Sequence, residues 1–186
     1  MLNLPNTIKM VITDFDGIIT DNCVYVDSKG ETTRKLNFKD IMAFSLLKKN
    51  GFKIAIISGE ANSAIELLNE KFQLDEVHQG IRNKLEVLEK IIEKYELSDE
   101  EFLYIGDDVN DLNSLKRAKY SITVPNAVIK IRELEDVQKT SVNGGDGAFR
   151  EVVDCLLDNK VFLKIYYLFR HAPASGSRYR FKGNRF

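Results

Sequence analysis

Two groups of carboxylates stand at short spacing in the chain. Asp14 and Asp16 lie in Thr13-Asp14-Phe15-Asp16-Gly17, and Asp107, Asp108 and Asp111 lie in Gly106-Asp107-Asp108-Val109-Asn110-Asp111. Brought into one crevice they repel. Two carboxylates ~4 Å apart oppose each other by roughly 4 kcal/mol at an effective dielectric near 20, so several together need a cation or a proton. An all-oxygen set without His or Cys favours Mg²⁺ over zinc. Phosphate chemistry uses such a set. One carboxylate can attack phosphorus to give an aspartyl-phosphate. A second, two residues on, can protonate the leaving alcohol and then deprotonate water. Ser58, Lys84 and the cation can neutralise the phosphoryl oxygens, while Gly17, Gly59 and Gly106 allow close backbone approach and N–H donation. Singly, each has an ordinary reading: Asp-x-Asp-Gly is a turn, Gly-Asp-Asp a loop with a cap, Ser58 a helix cap and Lys84 a solvated side chain. Together, in this order, they form a phosphate-handling set.

The elements that must position them follow from hydrophobic period. Residues 8–12, 52–57, 102–105 and 120–124 are short apolar runs rich in β-formers, ending at Thr13-Asp14, Ser58-Gly59, Gly106-Asp107 and Pro125. Residues 40–50, 61–72 and 82–95 are helix-periodic, with Asp40 read as an N-cap and Gly51 as a stop. Apolar strands alternating with amphipathic helices predict an α/β fold with a doubly wound, mainly parallel sheet. Ligands bind such sheets beyond the carboxyl ends of the strands, where the acids, Ser58 and the glycines all fall. One stretch breaks the alternation: residues 22–38 read as strand, turn and strand, with Thr32 to Phe38 as the return. A two-stranded ribbon is marginal alone in water and must pack on something.

Composition narrows the classes. The 186 residues, 44% hydrophobic and 30% charged, suffice for one packed domain. No apolar run approaches the ~20 residues of a membrane span, and no secretory leader is visible, so a cytoplasmic location is expected. Cys23 and Cys155 fit neither a disulfide framework nor a zinc spacing. Twenty of the 27 basic residues and all 28 acidic ones precede residue 159, so that body carries −8 and residues 159–186 carry +7. An acidic body argues against nucleic-acid binding. The division expected is a domain over 1–157 and a basic, aromatic, partly disordered extension over 158–186. Its 160–170 stretch is readable as a helix extension, a subunit contact or a surface anchor.

Asp14-Phe15-Asp16-Gly17-Ile18-Ile19-Thr20-Asp21 resembles the first motif (DxDGxxTD) of the haloacid dehalogenase-like phosphatases. Ser58, Lys84 and Gly106-Asp107-Asp108-x-x-Asp111 match the second, third and fourth motifs. The resemblance implies a Rossmann-type fold with Asp14 as nucleophile and Asp16 as general acid/base. It implies Mg²⁺ held by Asp14, the Asp16 carbonyl and Asp107, supported by Asp108 or Asp111, with Ser58, Gly59 and Lys84 on the phosphate. No long insertion between Asp21 and Asp40, or between Ser58 and Lys84, provides a cap domain. The hairpin, Phe38-Lys39-Asp40, Gln79-Gly80 and the segment from Gly144 to Val152 resemble a capless branch. That branch holds 3-deoxy-D-manno-octulosonate 8-phosphate phosphatase, the phosphatases of nine-carbon sialic acids, and a phosphatase-like domain fused to some acylneuraminate cytidylyltransferases. Its hairpins assemble a homotetramer in which a neighbour closes each site, so the 22–38 hairpin is expected to do so here.

The octulosonate members usually read Thr-Gly-Arg where this chain has Ser58-Gly59-Glu60, and Asp-Gly where it has Asp40-Ile41. Glu60 with Lys71 is similar to the sialic-acid members, which implies substrate-binding roles for both, and Lys39 and Arg150 are further candidates for the substrate carboxylate. Some relatives lay a C-terminal segment over a neighbour's site, which would bring in Arg178, Arg180 or Lys182. The expected function is an Mg²⁺-dependent phosphomonoesterase acting on a sialic-acid or nonulosonate 9-phosphate. The alternatives are an octulosonate 8-phosphate phosphatase, a receiver-type switch, and a non-catalytic oligomerisation module of nucleotide-sugar machinery.

Overall fold

The structure, a computed structural model, describes residues 2–158; the expected basic extension past Asp158 lies outside the described residues. Met10–Thr13 (β1) is wholly buried and leads through a two-stranded ribbon, Tyr25–Val26 (β2) and Thr32–Thr33 (β3), to the helix Phe38–Lys49 (α1). Next come Lys53–Ile57 (β4), Ser63–Phe72 (α2), Glu76–His78 (β5), Lys84–Lys94 (α3) and Phe102–Ile105 (β6). A 3-10 turn at Val109–Asp111 enters Leu112–Arg117 (α4), followed by Tyr120–Thr123 (β7), Ile129–Arg132 (α5), Gln138–Lys139 (β8) and Ala148–Asp158 (α6).

The main sheet has the order β5-β4-β1-β6-β7-β8, and every neighbouring pair in it is parallel. β1 is central: Met10 pairs with Lys53 on one side and Phe102 on the other. The chain leaves β1 first towards β4 and later returns to its other side as β6, so a crevice opens at the carboxyl end of β1. The strands are apolar because both faces are covered. Phe44 of α1 joins one helix group, stacking on Phe72 of α2 at 5.7 Å and packing on Phe149 of α6 at 4.8 Å between centroids. α3 packs on α4. No helix of the described residues is long and apolar enough to cross a membrane.

Two expectations are corrected, and two strands are added. The ribbon's return strand is two residues long rather than reaching Phe38, because Asn37 caps α1 by accepting the Lys39 N–H at 2.9 Å. Asp40 is therefore not a cap of its own helix. It is fully buried and accepts the N–H groups of Gly147 (3.1 Å) and Arg150 (2.9 Å), capping α6 from across the fold. β5 and β8 had no strand signal, being two or three residues long with polar members.

Candidate active site

Asp14 is the first residue past β1, and its N–H donates to the Ile105 carbonyl at 2.8 Å, which extends the ladder by one rung. The backbone then coils: Phe15 O receives the N–H groups of Ile18, Ile19 and Thr20. Gly17 sits at φ +89°, and a β-carbon there would overlap the Asp107 carboxylate. Glycine is thus required both for the turn and for the closeness of the two acidic loops. The coil presents Asp16, whose Oδ1 accepts from Thr20 Oγ1 at 3.1 Å and from Arg34 Nε at 2.9 Å.

From the other strand, β6 delivers Asp107, and the 3-10 turn delivers Asp108 and Asp111. Asp108 Oδ1 accepts the Val109 N–H at 2.6 Å and caps the turn. Asp111 is fully buried behind the cleft. Its Oδ1 receives Lys84 Nζ at 2.8 Å and the Tyr104 hydroxyl at 2.7 Å, while its Oδ2 faces the N–H groups of Asp107 and Asp108 at 3.3 and 3.4 Å. Lys84, the first residue of α3, has no exposed side-chain surface and also reaches Asp14 Oδ1 at 2.9 Å. The Phe15 N–H is the third group fixed here, at 2.7 Å from Asp14 Oδ1.

The charges explain one another. Burial pushes Asp14 well up, Asp111 pushes the same way, and Lys84 opposes both. Burial, then Asp111 and Asp108, push Asp107 up to about 7. Burial alone would lower Lys84, but Asp14 and Asp111 outweigh it and hold the ammonium charged. One lysine thus faces three buried acids, and the excess negative charge has no protein partner.

The donor set fits a divalent cation. Carboxylate oxygens of Asp14, Asp107 and Asp111 lie within 4.8 Å of one another. Among the described residues, Asp107 Oδ1 is buried without a hydrogen-bond partner, and its Oδ2 has only Asn22 Nδ2 at 3.4 Å. Oxygen donors alone, in a polar cleft with room for water, suit Mg²⁺.

A cleft of about 160 Å³ joins Asp14, Asp16, Ser58, Gly59, Glu60, Asp107 and Asp108, with Asn22 and Asn110 completing its wall. Ser58, at the end of β4, is buried, and its hydroxyl donates to the Glu60 carbonyl at 2.8 Å. Lys84 and Asp111 are beneath the cleft rather than on its wall. Lys71 is not brought to it. It stands exposed in the last turn of α2, with Nζ 5.2 Å from the Phe72 ring centroid, because that helix runs away from the strand ends. Lys39 and Arg150 line a separate groove with Asp146 and Asp154, and Arg150 Nε is bound to Asp154 at 2.7 Å. Sequence reasoning missed Asn22, Arg34 and Asn110. The one local sign was Asn22 following Asp21, a residue type that tolerates the φ of +64° found there.

The sequence model of the haloacid dehalogenase-like hydrolase family matches residues 69–151. The chain is 29% identical over 150 residues to the 3-deoxy-D-manno-octulosonate 8-phosphate phosphatase KdsC of Escherichia coli K12, covering 81% of this chain and 79% of that one. It superposes on the crystal structure of the 3-deoxy-D-manno-octulosonate 8-phosphate phosphatase of Moraxella catarrhalis, solved with magnesium, phosphate and KDO. The TM-score is 0.81 at 30% identity, over 88% of this chain and 94% of the other. The chain belongs to the haloacid dehalogenase-like hydrolases. The cobalt-bound deoxy-D-mannose-octulosonate 8-phosphate phosphatase of Haemophilus influenzae gives a TM-score of 0.76 at 28% identity, over 82% of this chain and 89% of that one. Among the described residues of this haloacid dehalogenase-like phosphatase there is no cap domain. The chain passes from Asp21 to Asp40 by the ribbon, and from Ser58 to Lys84 by α2 and β5.

Proposed function

We propose that this haloacid dehalogenase-like phosphatase is an Mg²⁺-dependent phosphomonoesterase that removes the terminal phosphate of a long-chain sugar acid. The observation that carries this reading is the buried Asp107 oxygen without a partner, in the same cleft as Asp14 and Asp16. Asp14, the Asp16 carbonyl and Asp107 would hold Mg²⁺, which supplies positive charge against the phosphoryl oxygens when bound. Asp14 Oδ1 is committed to Lys84 and the Phe15 N–H, which leaves Oδ2 to attack phosphorus and form an aspartyl-phosphate. Asp16 gives a proton to the departing sugar hydroxyl and then takes one from the water that cleaves the acyl phosphate. Lys84 fixes Asp14 in line and offsets its charge. Ser58 and the backbone at Gly59 border the place of the phosphoryl oxygens.

A cleft of about 160 Å³ takes a phosphate head and little more, so the carbon chain lies at its rim. The ribbon exposes Val24, Tyr25 and Val26, with Phe38 beside it, and this surface suits a second copy of the chain that would cover both the ribbon and the substrate. A homotetramer built through residues 22–38 is the assembly proposed.

Two sugar acids are in view. The relatives named for 3-deoxy-D-manno-octulosonate 8-phosphate favour the eight-carbon substrate. Glu60 on the cleft wall favours a nine-carbon nonulosonate 9-phosphate, because a carboxylate there suits a polyol or an amine; Lys71, the other half of that argument, is outside the cleft. Phosphate release measured across both compounds and shorter sugar phosphates, with Mg²⁺ and with EDTA, tests the reading. Turnover of one long-chain acid at least tenfold above hexose phosphates, abolished by EDTA, is expected. Equal turnover of all of them would remove the sugar-acid assignment. Asp14→Asn is expected to lower release by about 10³-fold or more with folding intact; retained activity would exclude Asp14 as nucleophile.

A further inference from the structure

The ribbon meets the reaction centre at both its ends, through Asn22 on Asp107 and through Arg34 on Asp16. From Asn22 to Thr33 every residue is exposed, and the strands of the ribbon pair only with each other. Arg34, directly after β3, is the first residue on the return whose side chain turns inward. Its side chain is 13% exposed, and its Nε donates to Asp16 Oδ1 at 2.9 Å. Thr20 Oγ1 donates to the same oxygen at 3.1 Å. Two donors on Oδ1 set the plane of the carboxylate and leave Oδ2 as the oxygen turned to proton transfer. Thr20 belongs to the rigid coil after β1. Arg34 stands between the exposed ribbon of Val24, Tyr25 and Val26 on one side and, on the other, Lys35, paired with Asp21 and Asp146, and Leu36, packed on the core.

We propose that Arg34 is a positioning residue that ties the placement of the ribbon to the orientation of Asp16, so that covering the ribbon with a second copy of this chain orders the proton-transferring carboxylate. This rests on the reading of Asp16 as general acid and base. A guanidinium suits the task because its Nε–H lies in the plane of a rigid fork and transmits direction as well as charge. Proton-transfer groups contribute about 10²- to 10⁴-fold, and small misplacements forfeit much of it. In the first half-reaction, which kcat/KM reports, the loss falls on substrates whose leaving group needs a proton; in the second it falls on all substrates alike. A sugar alcohol needs that proton; p-nitrophenolate leaves without one.

The test compares kcat and KM of wild type, Arg34→Met and Arg34→Lys on an alkyl sugar-acid phosphate and on p-nitrophenyl phosphate, with mass and melting curves taken alongside. For Arg34→Met, kcat/KM on the sugar phosphate is expected to fall about ten- to hundredfold and kcat/KM on p-nitrophenyl phosphate clearly less, while kcat falls on both. Arg34→Lys is expected to recover part of the loss. Tyr25→Glu, which leaves Arg34 and the cleft intact, is expected to give a smaller assembly with the same leaving-group pattern. An equal fall in kcat/KM on both substrates, a change confined to KM, or an active wild type with no loss in Arg34→Met would overturn the positioning role. A dissociated Tyr25→Glu with full activity on both would overturn the link to the ribbon. A wild type that releases phosphate from neither compound would remove the phosphatase reading and this proposal together.

Discussion

Asp107 holds its proton to an unusually high pH because burial and the neighbouring Asp111 and Asp108 disfavour its charge. Its pKa in the folded, metal-free protein is about 7, against an ordinary 3.8. The folded state therefore binds more protons than the unfolded one between those values. The stability this group contributes is complete below about pH 4 and is lost as the pH rises to 7. A divalent cation reverses the trend, because it binds the ionised form. Its apparent affinity is expected to fall about tenfold per pH unit below 7, and the gap in melting temperature between Mg²⁺-loaded and EDTA-treated protein to widen from pH 5.5 to pH 8. Thermal melts at both pH values measure it; a gap that does not change with pH would mean that Asp107 is not a ligand. The acids themselves were legible in the sequence, because apolar strands end where they begin. Arg34 and Asn22 were not, since their bonds to Asp16 and Asp107 span 18 and 85 residues and leave no local pattern.

At the scale of elements, α6 matters as much as the strands that carry the acids. Its first turn is held by Asp40 through Gly147 and Arg150, and the preceding loop lies on the coil after β1. Gly145 N–H donates to Ile18 O at 3.0 Å, and a β-carbon on Gly144 would overlap the Gly17 carbonyl. This contact accounts for Gly144-Gly145-Asp146-Gly147, a run that sequence reading could match to relatives but could not assign a task. Asp40 looked like a cap for its own helix because Asp is a good N-cap; the true cap, Asn37, hid three residues earlier inside an apparent strand. Asp40→Ala strands two buried N–H donors, so a loss of about 2–3 kcal/mol is expected, or roughly 4–10 °C in melting temperature. Asp40→Asn, which keeps one acceptor oxygen, is expected to lose less than half of that. Equal losses in the two variants, followed by calorimetry, would show that volume rather than capping decides.

At the scale of the molecule, the described residues form a covered α/β sheet with the ribbon left exposed beside it. Val26 on the ribbon is 65% exposed and Phe38, at the start of α1 beside it, 78%, and no element of the described residues covers either. Burial of such side chains between copies contributes about 1.5–3 kcal/mol each, and a carboxylate placed among them forfeits it. Val26→Glu is therefore expected to lower the mass in solution at micromolar concentration while leaving the melting of the sheet nearly unchanged; light scattering after size exclusion checks this. An unaltered mass would place the assembly surface elsewhere.

The contact between the Gly144-Gly145 backbone and the coil after β1 has a consequence for synthesis. The first loop of the catalytic cleft, finished by residue 21, is held in shape by a loop made some 120 residues later. A chain emerging from the ribosome displays Asp14, the proposed nucleophile, early, and is expected to stay inert until this distant brace arrives. The onset of phosphate release in a translation reaction would then time the closing of the fold.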